Sequence, residues 1–181
     1  MNYYGAHDLA ASFRTVRKNT LVIADEISED KYGFQASPDS RTVAQTLVHI
    51  SHICELQELV QGKLHLSTLE GFDFMGFLGP IIADEQTPRT KAEIISLLTE
   101  GGNRFFTWLE GLSDEFLGET VSMMPGMTPA SKSRFEMILG VKEHEMHHRG
   151  QLMLVQRILG VTPHLTREAQ ARFAAMSAAK A

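Results

Sequence analysis

Apolar residues recur every three to four positions along four long segments of the chain, and no segment shows sustained alternate-residue patterning. The first segment runs from about Asp8 to Ser28, with Leu9, Phe13, Val16, Thr20, Ile23 and Ile27 on one stripe. The second begins near Ser40, a good N-cap residue, and extends to about Gln61, before Gly62. Thr90 and Glu93 form a capping-box pattern for a third helix, Lys91 to about Leu112. Gly101-Gly102 weakens that helix in its middle, since each glycine costs about 1 kcal/mol relative to alanine. The fourth starts between Pro129 and Phe135 and continues to about Leu159, with Gly160 as its stop. From Pro163 onward an Ala-rich tail adds a short terminal helix or frays.

The Gly-rich stretch from Gly62 to Pro88 resists assignment beyond short helical pieces around Phe74 to Ile82. It is much longer than a helical hairpin requires, so it is expected to cover the core or line a site. Four helices in 181 residues predict an all-α protein, a four-helix bundle. We read residues 1–181 as one domain, with a bundle core of about 8–160 and a tail of 161–181.

Two apolar stripes are interrupted by histidine. His144 and His148 stand four apart on one helical face that continues through Val141, Leu152, Val155 and Leu159. A buried imidazole needs a partner, because leaving one unsatisfied costs roughly 1–3 kcal/mol. A shared metal ion satisfies both rings, but a His-x-x-x-His pair alone is weak evidence. The second helix adds His49, which sits on a stripe with Ile53, Leu56 and Val60, beside a separate stripe of Val43, Leu47, Ile50 and Cys54. Three histidines from two helices predict a divalent metal on His49, His144 and His148, with at least one coordination position left open.

The other polar candidates have ordinary readings. His52 is a supporting or substitute ligand, and His147 an exposed or interface residue. His7, His65 and His164 lie outside the stripes. Glu143 and Glu145 are expected to be solvated carboxylates, and Cys54 to be a packing residue. No Gly-rich phosphate loop or Gly-x-Ser-x-Gly elbow occurs, and the metalloprotease reading of His144 to His148 is set aside. Met123, Met124 and Met127 read as loop or core filler.

Composition narrows the picture further. With 43% apolar and 22% charged residues the chain is ordinary for a globular protein, and a net charge of -5 argues against a strongly basic nucleic-acid binder. Arg14, Arg17 and Lys18, the nearest thing to a basic cluster, are expected on a solvated helix face. A single cysteine excludes an internal disulfide and fits a reducing cytosol. Met1 to Asp8 lacks the pattern of a signal peptide, and no apolar run reaches the about 20 residues that span a bilayer. A cytoplasmic protein acting on small molecules, with no nucleic-acid or membrane partner, is the expectation.

Taken together, these segments resemble the DinB-like (DinB/YfiT) superfamily of metal-binding four-helix bundles. His144-Glu-Met-His-His-Arg-Gly-Gln-Leu152 looks like that family's signature on its last bundle helix, and Arg41-Thr-Val-Ala-Gln-Thr-Leu-Val-His49-Ile50 like its second-helix segment. The Lys31 to Phe34 stretch and the Gly160 to Pro163 segment are similar too, so the likeness spans about Leu9 to Pro163. The resemblance implies an up-down-down-up bundle, a triad of His49, His144 and His148, a metal such as nickel or zinc, and a homodimer. Some relatives are transferases or isomerases that use a low-molecular-weight thiol, although no thiol-binding motif maps onto this chain. The expected function is therefore thiol transfer to a small electrophile. Metal-dependent hydrolysis and a non-enzymatic, stress-associated metal-binding role are the alternatives. Arg149 or Gln151 is expected to orient substrate or a ligand, or else to sit at the helix surface, and Gly150 to permit a close approach.

Overall fold

Three of the four long helices begin with the same reciprocal chemistry. The hydroxyls of Thr42, Thr90 and Ser133 accept hydrogen bonds from the backbone N–H groups of Gln45, Glu93 and Glu136. The side chains of Gln45, Glu93 and Glu136 return bonds to the backbone N–H of each cap at 2.9, 2.7 and 2.7 Å. Each box satisfies donors that a helix start would otherwise leave open. In the computed structural model, which describes residues 4–179, these caps start α2 (Val43–Gln57), α4 (Lys91–Glu110) and α6 (Arg134–Ile158), while α1 spans Ala6–Glu26. The first three residues of the stretch read as lacking a signal peptide, and the last two of the tail, lie outside the described residues.

Shorter elements fill the connections: α3 (Phe74–Asp84), α5 (Asp114–Gly118) and a hairpin of β1 (Thr120–Ser122) and β2 (Ser131–Ser133), paired Thr120 to Ser133. After α6 the tail forms a further helix, α7 (His164–Ala178). The second helix starts at Thr42 rather than Ser40, because Ser40 is spent on a turn in which its hydroxyl donates to the Ser37 carbonyl. It runs on beyond Gln57 as a six-residue π-helical turn, Glu58–Lys63. Strands of three residues are too short to register as alternation, so the hairpin was illegible to periodicity.

Cross-helix pairs define the direction of each helix. Ser12 to Lys142, Arg17 to Glu145 and Glu26 to Gln156 ascend together, so α1 and α6 are parallel. Arg14 pairs with Glu110, Arg17 with Leu98 and Lys91 with the Asp25 carbonyl, so α4 runs against α1. His49 meets His144 and Gln61 meets Arg134, so α2 runs against α6. The order is up-down-down-up, as the resemblance implied.

Two larger apolar clusters form most of the core, beside a small third one of Val60, Leu69 and Val121. Ile23, Ile27, Leu47, Ile50, Ile94, Leu98 and Leu152 pack one, and Phe13, Cys54, Phe105, Leu109, Ile138 and Val141 the other. Between them lies a buried ion pair. Arg17 is 2% exposed and Glu145 0%; Arg17 Nε and Nη2 each donate to Glu145 at 2.9 Å, and Nη1 donates to the Leu98 carbonyl at 2.6 Å. Both residues correct the expectation of solvated side chains. Position 17 follows Phe13 by four and position 145 follows Val141 by four, so each lies on the stripe that faces the core.

That pair explains one helix-weakening glycine. A Cβ at Gly102 would stand 3.1 Å from Arg17 Nη1 and 3.2 Å from Arg17 Cγ, whereas one at Gly101 meets nothing closer than 3.7 Å. Gly101→Ala should therefore stabilise the protein by up to about 1 kcal/mol, the helix-propensity gain. Gly102→Ala should be net destabilising, because it shifts a guanidinium that has no room to move. Urea midpoints of the two variants check this, and equal shifts would refute it.

Candidate metal centre

The antiparallel contact of α2 and α6 carries His49 to the one-turn pair on α6. His49 Nε2 lies 3.0 Å from His144 Nε2, and His148 Nε2 lies 3.2 Å from the same atom. One ring nitrogen from each of the three residues falls within a 4.8 Å group. His148 is buried and the other two are partly so, each facing the other helix rather than bulk water. Sequence reasoning placed these three together, and the fold does bring them together.

Two neighbours fix which nitrogens face inward. His49 Nδ1–H donates to Glu85 Oε1 at 2.7 Å, and His148 Nδ1–H donates to Gln151 Oε1 at 2.7 Å. With those protons on Nδ1, both Nε2 lone pairs point at the common centre. Burial pushes the His49 and His148 rings below their ordinary pKa, and the bonds to Glu85 and Gln151 only partly offset it. Burial, then the neighbouring rings, pushes His144 down to about 4. The cluster is thus neutral at physiological pH, the state in which imidazole binds metals.

The donor set fits a divalent ion. A tetrahedral centre with metal–nitrogen bonds of about 2.0–2.1 Å holds neighbouring nitrogens about 3.3 Å apart, close to the spacings found. Uncompensated nitrogen lone pairs at this distance would repel, and a cation among them removes the conflict.

Glu85 is the functional residue that sequence reasoning missed. It follows directly on α3 and is 5% exposed; its second oxygen accepts from Arg41 Nε at 2.7 Å. A carboxylate in the unassigned Gly62 to Pro88 stretch carried no periodic signal, and only folding α3 over α2 brings it to His49. The expectation that this stretch lines a site is met here.

The remaining candidates divide cleanly. His52 bonds Asp84 at 2.8 Å and Glu55 at 3.2 Å, so it ties α2 to the end of α3 and is not in the triad. His147 is exposed, as expected. His164, read as an ordinary polar residue, is 5% exposed with Nε2 3.3 Å from Asn19 Oδ1. Cys54 is fully buried and its thiol is pushed up to about 12, chiefly by burial, which suits packing and not nucleophilic attack. Gln151, not Arg149, bonds a ring of the triad. Gly150 opens onto empty space, so no close approach within the chain explains it.

Residues 144–148 do spell His-Glu-x-x-His letter for letter, so spacing gives no reason to set the metalloprotease pattern aside. Placement does: Glu145 is locked against Arg17 in the core rather than beside the triad. A cleft of about 700 Å³ opens beside the centre. His148 and Gln151 form one wall, Arg41 and Glu85 another, and the exposed side chains of Ile82 and Leu154 contribute apolar surface. No described helix is long and apolar enough to cross a membrane.

Residues 12–152 match the DinB superfamily. Solved structures share the fold. One, a DinB-like protein (YjoA) from Bacillus subtilis, is 21% identical with a TM-score of 0.62, covering 85% of this chain and 93% of that one. YfiT from Bacillus subtilis, described as a probable metal-dependent hydrolase with an unusual four-helix bundle topology, is 14% identical with a TM-score of 0.66, covering 87% and 89%. A protein from Streptococcus pneumoniae is 18% identical with a TM-score of 0.64, covering 87% and 93%. No curated protein matches the chain.

Proposed function

The chain belongs to the DinB superfamily, and from that premise we propose that it is a metal-dependent enzyme that transfers a low-molecular-weight thiol to a small electrophile. His49, His144 and His148 hold one divalent ion, nickel or zinc. The observation that carries this reading is the meeting of three Nε2 atoms at 3.0 and 3.2 Å beside an open cleft. Three protein ligands leave room for a fourth, which is the pattern of catalytic centres. When bound, such an ion supplies a positive charge that lowers the pKa of a coordinated thiol or water.

The chain's own residues do the rest. Glu85 and Gln151 hold two rings in the ligating tautomer, as second partners of metal-bound histidines do. Ile82 and Leu154 give the electrophile an apolar surface. The buried or half-buried carboxylates nearest the triad are already engaged, Glu85 by Arg41 and His49, Asp84 by Arg89 and His52, and Glu145 by Arg17, while Glu143 is exposed. A nucleophile whose activation needs no free carboxylate base fits that surrounding. The reading includes a homodimer in a reducing cytosol, with no nucleic-acid or membrane partner.

Metal-assisted hydrolysis is the second reading, favoured by the fold shared with YfiT, which is described as a probable metal-dependent hydrolase. Elemental analysis of untagged protein comes first, then a panel of thiols and electrophiles with the metal-loaded protein. Conjugation that requires both thiol and metal supports transfer, and turnover without thiol supports hydrolysis. If metal removal lowers the melting temperature and no reaction is found, the ion has a structural role. Glu85→Gln should weaken metal affinity by roughly 10–100-fold while the fold persists, the range found for lost supporting partners. Competition with a chromophoric chelator measures it, and an unchanged affinity would remove Glu85 from the centre.

A further inference from the structure

Arg41 is the cation that stands at the cleft. Its Nε donates to Glu85 Oε2 at 2.7 Å and Nη2 reaches Glu85 Oε1 at 3.4 Å, so one edge of the guanidinium is anchored by a buried carboxylate. Nη1 has no hydrogen-bond partner among the described residues, and the side chain is 39% exposed where it lines the cleft. A guanidinium held on one side and open on the other is preorganised to accept a second anion, and its planar fork matches a carboxylate. Beyond it, the cleft turns apolar at Ile82 and Leu154.

We propose that Arg41 selects the substrate by charge, so that the cleft takes a small thiol carrying a carboxylate in preference to a neutral or cationic one. The inference rests on the thiol reading above and adds the chemical class of the thiol. Glu85 offsets part of the charge of Arg41 and is itself shared with a donor from His49, so the unpartnered Nη1 is what a second anion meets. The only other acidic residue lining the cleft is Asp39, whose carboxylate accepts from the Ser37 hydroxyl at 2.6 Å.

The test loads the full chain with cobalt(II) and titrates it with mercaptopropanoate, mercaptopropanol and aminopropanethiol, three thiols of matched length. Thiolate-to-cobalt charge-transfer absorption reads thiol binding, and the cobalt d–d band reads the metal independently. Wild type should bind mercaptopropanoate about tenfold more tightly than mercaptopropanol, the value of one charge-assisted pair. Arg41→Gln should reduce that preference to within about twofold, and Arg41→Lys should restore part of it. The double variant Arg41→Gln/Glu85→Gln should stay unselective; a returning preference would mean that Arg41 only masks Glu85, and would overturn the inference. Equal wild-type affinity for all three thiols overturns it while leaving the thiol reading in place. A cobalt d–d band with no charge-transfer band for any thiol sinks the thiol reading and this inference with it.

Discussion

His148→Ala should leave the protein folded but essentially free of metal. The ring is one of three ligands, and its loss should exceed the roughly 10–100-fold weakening expected when a supporting partner is removed. An ion that binds only the folded chain stabilises it by about 4 kcal/mol at about 1,000 times its Kd, a Tm gain of roughly 8–16 °C for a protein of this size. Wild type should show that gain on metal addition and His148→Ala should not. Stoichiometric metal in the purified variant would remove His148 from the centre. Acid should act in the same direction. The rings' folded pKa values lie below the unfolded value of 6.5. Between 6.5 and about 4, where His144 titrates, the unfolded chain therefore binds more protons, so metal-free protein should lose stability as pH falls through that window. Thermal melts across that window check the sign.

Arg17→Met should be the most damaging single change outside the triad, destabilising the protein by about 3–5 kcal/mol, or roughly 6–20 °C in Tm. It leaves Glu145, 0% exposed, without its cation in the middle of the bundle. The double replacement Arg17→Met/Glu145→Leu should recover most of the loss, because exchanging a buried pair for packed apolar groups is often neutral or favourable. Neither member of the pair hydrogen-bonds the triad, so metal content should survive in both variants. Urea unfolding with elemental analysis measures the two effects separately. A cost under about 1 kcal/mol for the single variant would mean that water reaches the pair.

The same pair marks where pattern reading falls short. Arg17 and Glu145 occupy core-facing positions on their stripes, but charge suggested solvent; heptad position was the better guide, since each charge is answered by the other across 128 residues. His49, His144 and His148 were legible for the opposite reason. Rings on apolar stripes stand out, and two helices that bury those stripes must bring the rings to one another. Glu85 and Arg41 carried no such signal, because a carboxylate and a guanidinium are unremarkable on a helix end or loop until a partner stands opposite, and Gln151 inside α6 was told from Arg149 only by its bond to His148.

By itself the order of residues determined four amphipathic helices, their capping at Thr90, the helical class of the fold and the three imidazoles that interrupt its apolar faces. These follow from local periodicity and hydrogen bonding, which act within a few residues. The tertiary structure alone decided that α3 carries Glu85 to His49, that Glu145 belongs to the core and not to the site, and that Arg41 stands at the cleft with one edge held by Glu85. Each depends on groups tens of residues apart being held within hydrogen-bond reach, and no local pattern encodes that distance.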